Sequence, residues 1–136
     1  MIYLDSAAIV KLIREEPESE ALGMWLAERI QMSRVSSVLS EVEVARAIER
    51  HSPESRPYIA PIMDTVARFD IDHPVRAMAV AIRDPLLRSL DAIHLASAQI
   101  LRAEFGQVPT FVTYDKRLLT AAKTVGLPVA SPGAAA

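Results

Sequence analysis

The sequence predicts an α/β fold in which a parallel sheet is covered by helices on both faces. Short apolar runs alternate with longer stretches of helical period along the whole chain, the rhythm of strand–helix–strand units. Of the 136 residues, 51% are apolar, enough to cover both faces of a small sheet. The length suits one domain, and no repeat or low-complexity linker divides it.

Residues 1–4 form the first apolar run, which ends at Asp5. Residues 7–14 and 19–32 have helical period and are separated at Pro17. In the second of these, Leu22, Trp25, Leu26 and Ile30 mark one amphipathic face. Residues 34–36 are the second strand, followed by a helix over 37–50 and a polar, proline-containing break over 51–57. A helix over 58–66 leads to a third strand at 68–71. Pro74 suits the first turn of the next helix, 74–82, where its missing N–H costs little. Asp84-Pro85 is a loop, and 89–104 is a long helix rich in Ala and Leu. Residues 110–113 make a fourth strand and 116–125 a helix, with Gly126 as its stop. The fifth, edge strand is 128–130, where proline is tolerated. These elements make a three-layer α/β/α domain over 1–130 with a five-stranded parallel sheet, and a flexible tail over 131–136.

Composition narrows the chemistry. With no cysteine there is no disulfide, thiolate metal site or cysteine nucleophile. A metal would need oxygen or imidazole ligands, which favours Mg²⁺ or Mn²⁺ over structural zinc. The N-terminus lacks a basic leader, and no apolar run approaches the ~18 residues of a membrane span, so a cytoplasmic protein without membrane contact is expected. A net charge of −2 gives no overall basic signature for nucleic acid, so positive charge at such a site would have to be local.

In a parallel sheet the functional crevice lies beyond the carboxyl ends of the strands. Asp5 directly follows the first strand, and Asp115 follows the fourth with Tyr114 between. Each also suits a helix N-cap. Asp91 lies in the first turn of the long helix, whose Leu90, Ile93, Leu95, Ala96, Ala98 and Ile100 make it apolar on most sides and largely buried. A carboxylate there needs a partner such as a metal. The helix over 37–50 offers both Glu41 and Glu43, which point about 200° apart. Periodicity leans to Glu41, among Val38, Val44, Ala45 and Ile48; Glu43 has Ser40 or Arg46 as ordinary partners. Spacing leaves that choice open. Several carboxylates converging without a basic cluster repel one another unless hard cations intervene, an arrangement suited to phosphodiester hydrolysis.

With Asp5, Glu43, Asp91 and Asp115 assembled, the sequence resembles the PIN-domain family, and within it the VapC-type toxins. The resemblance runs through MIYLDSAAIVKL, EVEVARAI, LDAIHLASA and FVTYDKRLLTAA, nearly the whole chain. In that family the second acid lies about six residues past a Ser or Thr after the second strand, which from Ser37 points to Glu43, with Glu41 the fallback. The resemblance implies a PIN-like fold, with Asp5 and Asp91 as primary metal ligands and Glu43 and Asp115 completing the site. It implies a Mg²⁺- or Mn²⁺-dependent endoribonuclease cutting structured RNA such as tRNA or rRNA. It also implies a VapB-type antitoxin partner reaching the acidic site, and a homodimer. The family often reads D-T-S-A after the first strand; here Asp5-Ser6-Ala7-Ala8 keeps one hydroxyl and lacks the other.

Among the remaining residues, Thr113 could help hold water or metal, or be an ordinary strand threonine. Lys11, Arg14, Arg46, Lys116 and Arg117 are candidates for phosphate contact, with plain solvated charge as the alternative. His94 is expected to be packed and hydrogen-bonded beside its helix, outside the site. Other phosphate chemistries fit poorly. A haloacid-dehalogenase-type phosphatase needs an acid where Ala7 stands, and a receiver domain needs an adjacent acidic pair. A catalytically inactive PIN-like binding module is the alternative function, and the acids alone do not exclude a DNA nuclease.

Overall fold

The computed structural model describes residues 1–135. Five strands form one parallel sheet: β1 (Ile2–Leu4), β2 (Arg34–Ser37), β3 (Ala67–Phe69), β4 (Thr110–Val112) and β5 (Val129–Ala130). Their order across the sheet is β3-β2-β1-β4-β5. The chain builds outwards from β1 on one side, then crosses back to build on the other. The switch point of the sheet therefore lies between the ends of β1 and β4.

The pleat divides the core in two. Ile2 and Leu4 of β1 and Val112 of β4 enter one cluster, while Tyr3 and Phe111 enter the other. The first cluster is filled from helices α1 (Ser6–Ile13), α2 (Ser19–Ala27), α3 (Leu39–His51) and α4 (Ile59–Met63), through residues such as Ile9, Leu22, Ile48 and Met63. A 3₁₀ turn at Pro53–Tyr58 joins α3 to α4. On the opposite face, α6 (Ser89–Phe105) and α7 (Lys116–Thr124) contribute Leu95, Leu101 and Leu118, and α5 (His73–Ala81) packs on α6. The fold is thus the three-layer arrangement with a five-stranded parallel sheet that the sequence predicts. Among the described residues, no helix is long and apolar enough to cross a membrane.

Differences from the sequence reading have local causes. The helix expected over 19–32 ends at Ala27, and Ile30, placed on its buried face, is 70% exposed. Beyond Leu26 the chain tightens into successive turns, Arg29 N–H to Leu26 O and Met32 N–H to Arg29 O, to reach the start of β2. The Arg29 guanidinium folds back 4.1 Å from the Trp25 ring centre. The helix expected from residue 37 starts at Leu39, because Ser36 and Ser37 extend β2 and Ser37 Oγ accepts from the Leu39 N–H. Leu90, counted with the apolar sides of α6, is exposed.

The tail expected from residue 131 onwards is hydrogen-bonded over its described part. Ser131 Oγ donates to Thr113 O, and the Tyr114 hydroxyl donates to Pro132 O. Gly133 sits at φ +83°, and a Cβ there would lie 2.7 Å from Ala21 Cβ on α2. Ala136 lies outside the described residues. Gly133→Ala combines left-handed backbone strain with a close contact and should cost about 1–3 kcal/mol in thermal or urea unfolding. An unchanged midpoint would show that the tail is not seated against α2.

Candidate active site

The side chains at the carboxyl edge are fixed first by helix starts. Asp5 follows β1 with extended backbone, and its Oδ1 accepts from the Ala8 N–H at 2.9 Å, capping α1. Asp115 does the same for α7, its Oδ1 accepting from the Arg117 and Leu118 N–H groups at 2.9 and 3.0 Å. Both acids are therefore the N-caps that the sequence allowed. Capping and a place in the crevice are not alternatives here, since each cap engages Oδ1 and locks the carboxylate at the switch point. Thr113 lies between them, its Oγ1 accepting from the Asp115 N–H at 3.2 Å and its hydroxyl favouring ionised Asp5.

Asp91 stands in the first turn of α6, half-buried. The structure separates the two glutamates of α3. Glu41 turns to the outside and pairs with Arg68 Nε at 2.8 Å. Glu43 turns inward, where its Oε1 accepts from Ser6 Oγ at 2.7 Å and lies 2.8 Å from His94 Nε2. Neither ordinary partner suggested for Glu43 is used: Ser40 Oγ donates to Ser37 O, and Arg46 lies further along α3 on the groove wall.

The charges interact as one group. Burial pushes the Asp5 carboxyl up; His94, the Thr113 hydroxyl and the Ala8 N–H work against that shift, and Glu43 adds to it. Burial also pushes Asp91 up, reinforced by Asp115, Asp5 and Glu43. Half-burial acts to raise Glu43, but the hydrogen bonds from His94 and Ser6 outweigh it and hold its carboxyl below the usual range. The result is an all-oxygen donor set with unbalanced negative charge.

That donor set suits a hard cation in an open site. Among the described residues, no group of three or more His, Asp or Glu side chains is arranged to hold a metal ion. This argues against a closed structural site of the zinc type. It fits Mg²⁺, which typically takes one or two carboxylates and keeps water or substrate phosphate in its remaining positions.

Two grooves flank the acids. Arg88, Lys116 and Arg117 line one with Leu86, Asp91 and Asp115. Arg46 and Arg50 line the other with Glu43, Ser6, Val42 and Leu90. Lys11 and Arg14, also considered for phosphate contact, are engaged elsewhere. Lys11 Nζ lies 2.9 Å from both Glu16 and Glu18, and Arg14 is 3.4 Å from Glu16. Arg88 and Arg50 are not among the sequence candidates for phosphate contact, although Arg50 shares the Glu43 face of α3 and Arg88 lies three residues before Asp91. His94 is packed and hydrogen-bonded as expected, but its partner is a site carboxylate. Its position one helical turn after Asp91 was the signal for that.

The PIN domain family model matches residues 2–124. Ribonuclease VapC35 of Mycobacterium tuberculosis is 47% identical over 135 residues, covering 99% of each chain. Ribonuclease VapC46 of the same organism is 42% identical over 96% of this chain and 97% of its own. Ribonuclease VapC47 is 38% identical over 98% of each. Among solved structures, a chain of a toxin-antitoxin complex from Klebsiella pneumoniae has the same fold, with a TM-score of 0.66 at 23% identity over 97% of this chain and 98% of that one.

Asp5→Asn should stabilise the protein in EDTA at neutral pH, by roughly 0.5–2 kcal/mol, since Asn keeps the cap and removes a buried charge. Asp5 binds its proton more tightly in the folded chain, so the wild-type deficit is complete above the folded pKa. It vanishes below the ordinary aspartate value of about 3.9. Urea unfolding across pH checks this, and a gain that does not shrink on acidification would contradict it.

Proposed function

We propose that this chain, which belongs to the PIN-domain family, is a divalent-cation-dependent endoribonuclease and the toxin of a toxin–antitoxin pair. The observation that carries the reading is the group of four carboxylates at the switch point, in which Asp115, Asp5 and Glu43 all act to raise Asp91. The ribonuclease names of relatives that match nearly end to end support RNA as the substrate.

Asp5 and Asp91 would be the primary holders of Mg²⁺ or Mn²⁺, with Glu43 and Asp115 completing the site directly or through water. The bound cation would supply a water acidic enough to attack phosphorus near neutral pH, and positive charge opposite the scissile phosphate. The protein's own part is placement. The caps hold Asp5 and Asp115 against rotation, and Ser6 and His94 hold Glu43. Arg88, Lys116 and Arg117 on one side, and Arg46 and Arg50 on the other, are placed to take the phosphates flanking the scissile bond. Local basic residues beside an acidic centre reconcile a net charge of −2 with a polyanionic substrate.

Structured RNA such as tRNA or rRNA is the substrate class this reading favours, in the cytoplasm, with an antitoxin protein as the inhibitory partner. A homodimer belongs to the same reading.

Incubation of antitoxin-free protein with total RNA should give discrete fragments with Mg²⁺ or Mn²⁺ and intact RNA with EDTA. Asp5→Asn and Asp91→Asn should each lower the rate more than about a hundredfold, beyond the 10–100-fold typical of residues one step removed from a metal. Fragments that survive EDTA, or that both variants still produce, would end the proposal. Lys116→Ala and Arg117→Ala should each weaken binding of any RNA sequence similarly and reduce the salt slope of log K by about 1. A slope unchanged in both would move the RNA path elsewhere.

A further inference from the structure

Behind Glu43 lies a buried pair of side chains, of which the proposed chemistry uses only the contact of His94 with Glu43. Tyr3, in the middle of β1, is fully buried and stacks on Phe111, with ring centres 5.1 Å apart and planes 5° apart. Its hydroxyl lies 2.7 Å from His94 Nδ1, and His94 is 2% exposed. The other ring nitrogen, Nε2, lies 2.8 Å from Glu43 Oε1 and 3.1 Å from Ser6 Oγ. One imidazole thus connects the central strand to a carboxylate of the candidate site.

The proton positions follow from counting donors. Ser6 has a single hydroxyl proton, which it gives to Glu43 Oε1. Were Nε2 bare, its lone pair would face a carboxylate oxygen at 2.8 Å with no proton between. Nε2 is therefore the donor. On the other side, the Ser36 and Ser97 hydroxyls beside the phenol already donate to Leu4 O and Ile93 O, each at 2.7 Å. Burial pushes the phenol well above its ordinary range, so it keeps its own proton, and Nδ1 is its hydrogen-bond partner.

We infer that Tyr3 and His94 are positioning residues: the Tyr3 O–H donates to Nδ1, which fixes the imidazole proton on Nε2, and Nε2–H together with Ser6 holds Oε1 of Glu43 so that Oε2 alone is presented to a divalent cation. This rests on the metal-dependent reading for its consequence, but the hydrogen-bond chain is a property of the protein by itself. An imidazole that donates to a carboxylate and has its second nitrogen held by a fixed partner is a known way of setting tautomer and ring orientation at a metal site. Here the order is reversed, with the carboxylate facing the ion and the histidine behind it. Placing Tyr3 two residues before Asp5 lets one three-residue strand position two of the four acids.

The test uses full-length protein labelled with [¹⁵N]histidine, with His94→Gln to assign its resonances. In EDTA, long-range ¹H–¹⁵N spectra should show His94 protonated on Nε2 and bare on Nδ1. In Tyr3→Phe, which keeps the stacked ring, Nδ1 loses its donor and that preference should weaken, with only Glu43 left to favour Nε2–H. A proton on Nδ1 in the wild type would overturn the inference. Mn²⁺ affinity, read by electron paramagnetic resonance, should fall 10–100-fold in His94→Leu and about 3–10-fold in Tyr3→Phe. It should recover in part in His94→Gln, whose amide can still donate to Glu43. Equal affinity in all variants, with thermal unfolding showing each folded, would make the pair structural only and overturn the inference. If tautomer and Mn²⁺ results come out as expected while the wild type leaves RNA intact, the inference stands and the ribonuclease reading falls.

Discussion

The pairing of β1 with β4 is the constraint on which the site depends. The register Ile2 with Thr110, Tyr3 with Phe111 and Leu4 with Val112 is short, and every residue of β1 is buried. Because the sheet's order reverses at this pair, the two strands end beside each other with no third strand between. The Asp5 N–H reaches Val112 O at 3.3 Å, which ties the two ends together. Asp5 and Asp115 then leave the sheet at neighbouring points, separated in sequence by most of the chain. A slip of one residue in this register would exchange the two faces of β1 and turn Tyr3 away from His94.

From that edge, ordinary elements of helix chemistry do double work. An aspartate cap satisfies the N–H groups at a helix start and holds its carboxylate at a fixed angle. α1 and α7 begin this way, so forming the helices also orients the acids. Glu43 has no cap to hold it, and its orientation comes instead from Ser6 on α1 and His94 on α6. Three helices from both sides of the sheet converge on one carboxylate. The cost of gathering these charges is visible in the direction of the shifts: burial pushes Asp5 up against His94, Thr113 and Ala8, and at Asp91 burial and the neighbouring carboxylates push the same way. Strain of this kind in a free protein is what a bound cation would relieve.

Much of the fold was legible because its signals are local. Alternating apolar runs, Pro74 in the first turn of α5, Gly126 after α7 and the aspartates at strand ends are each decided within a few residues. The errors arose where the tertiary path overrides local period. The amphipathic pattern of Leu22, Trp25, Leu26 and Ile30 continues past the point where the chain must turn to enter β2, so α2 stops early and Ile30 is left outside. The residues after Ala130 look featureless in sequence, yet Ser131 and Pro132 meet acceptors and donors brought by Thr113 and Tyr114.

By itself the sequence determined the strand–helix order, the acids that follow β1 and β4, and the absence of cysteine chemistry, because these are written in residue type and short-range period. The family pattern added a preference for Glu43. Only the tertiary structure decided how α3 is rotated. A helix tells its own residues apart by angle, but which angle faces the site depends on what packs against it. Here Val44 and Ile48 fill the core under α1, Arg68 from β3 draws Glu41 outward, and Ser6 and His94 offer donors on the inner side. None of those partners lies near Glu43 in sequence, and so no reading of one helix could have found them.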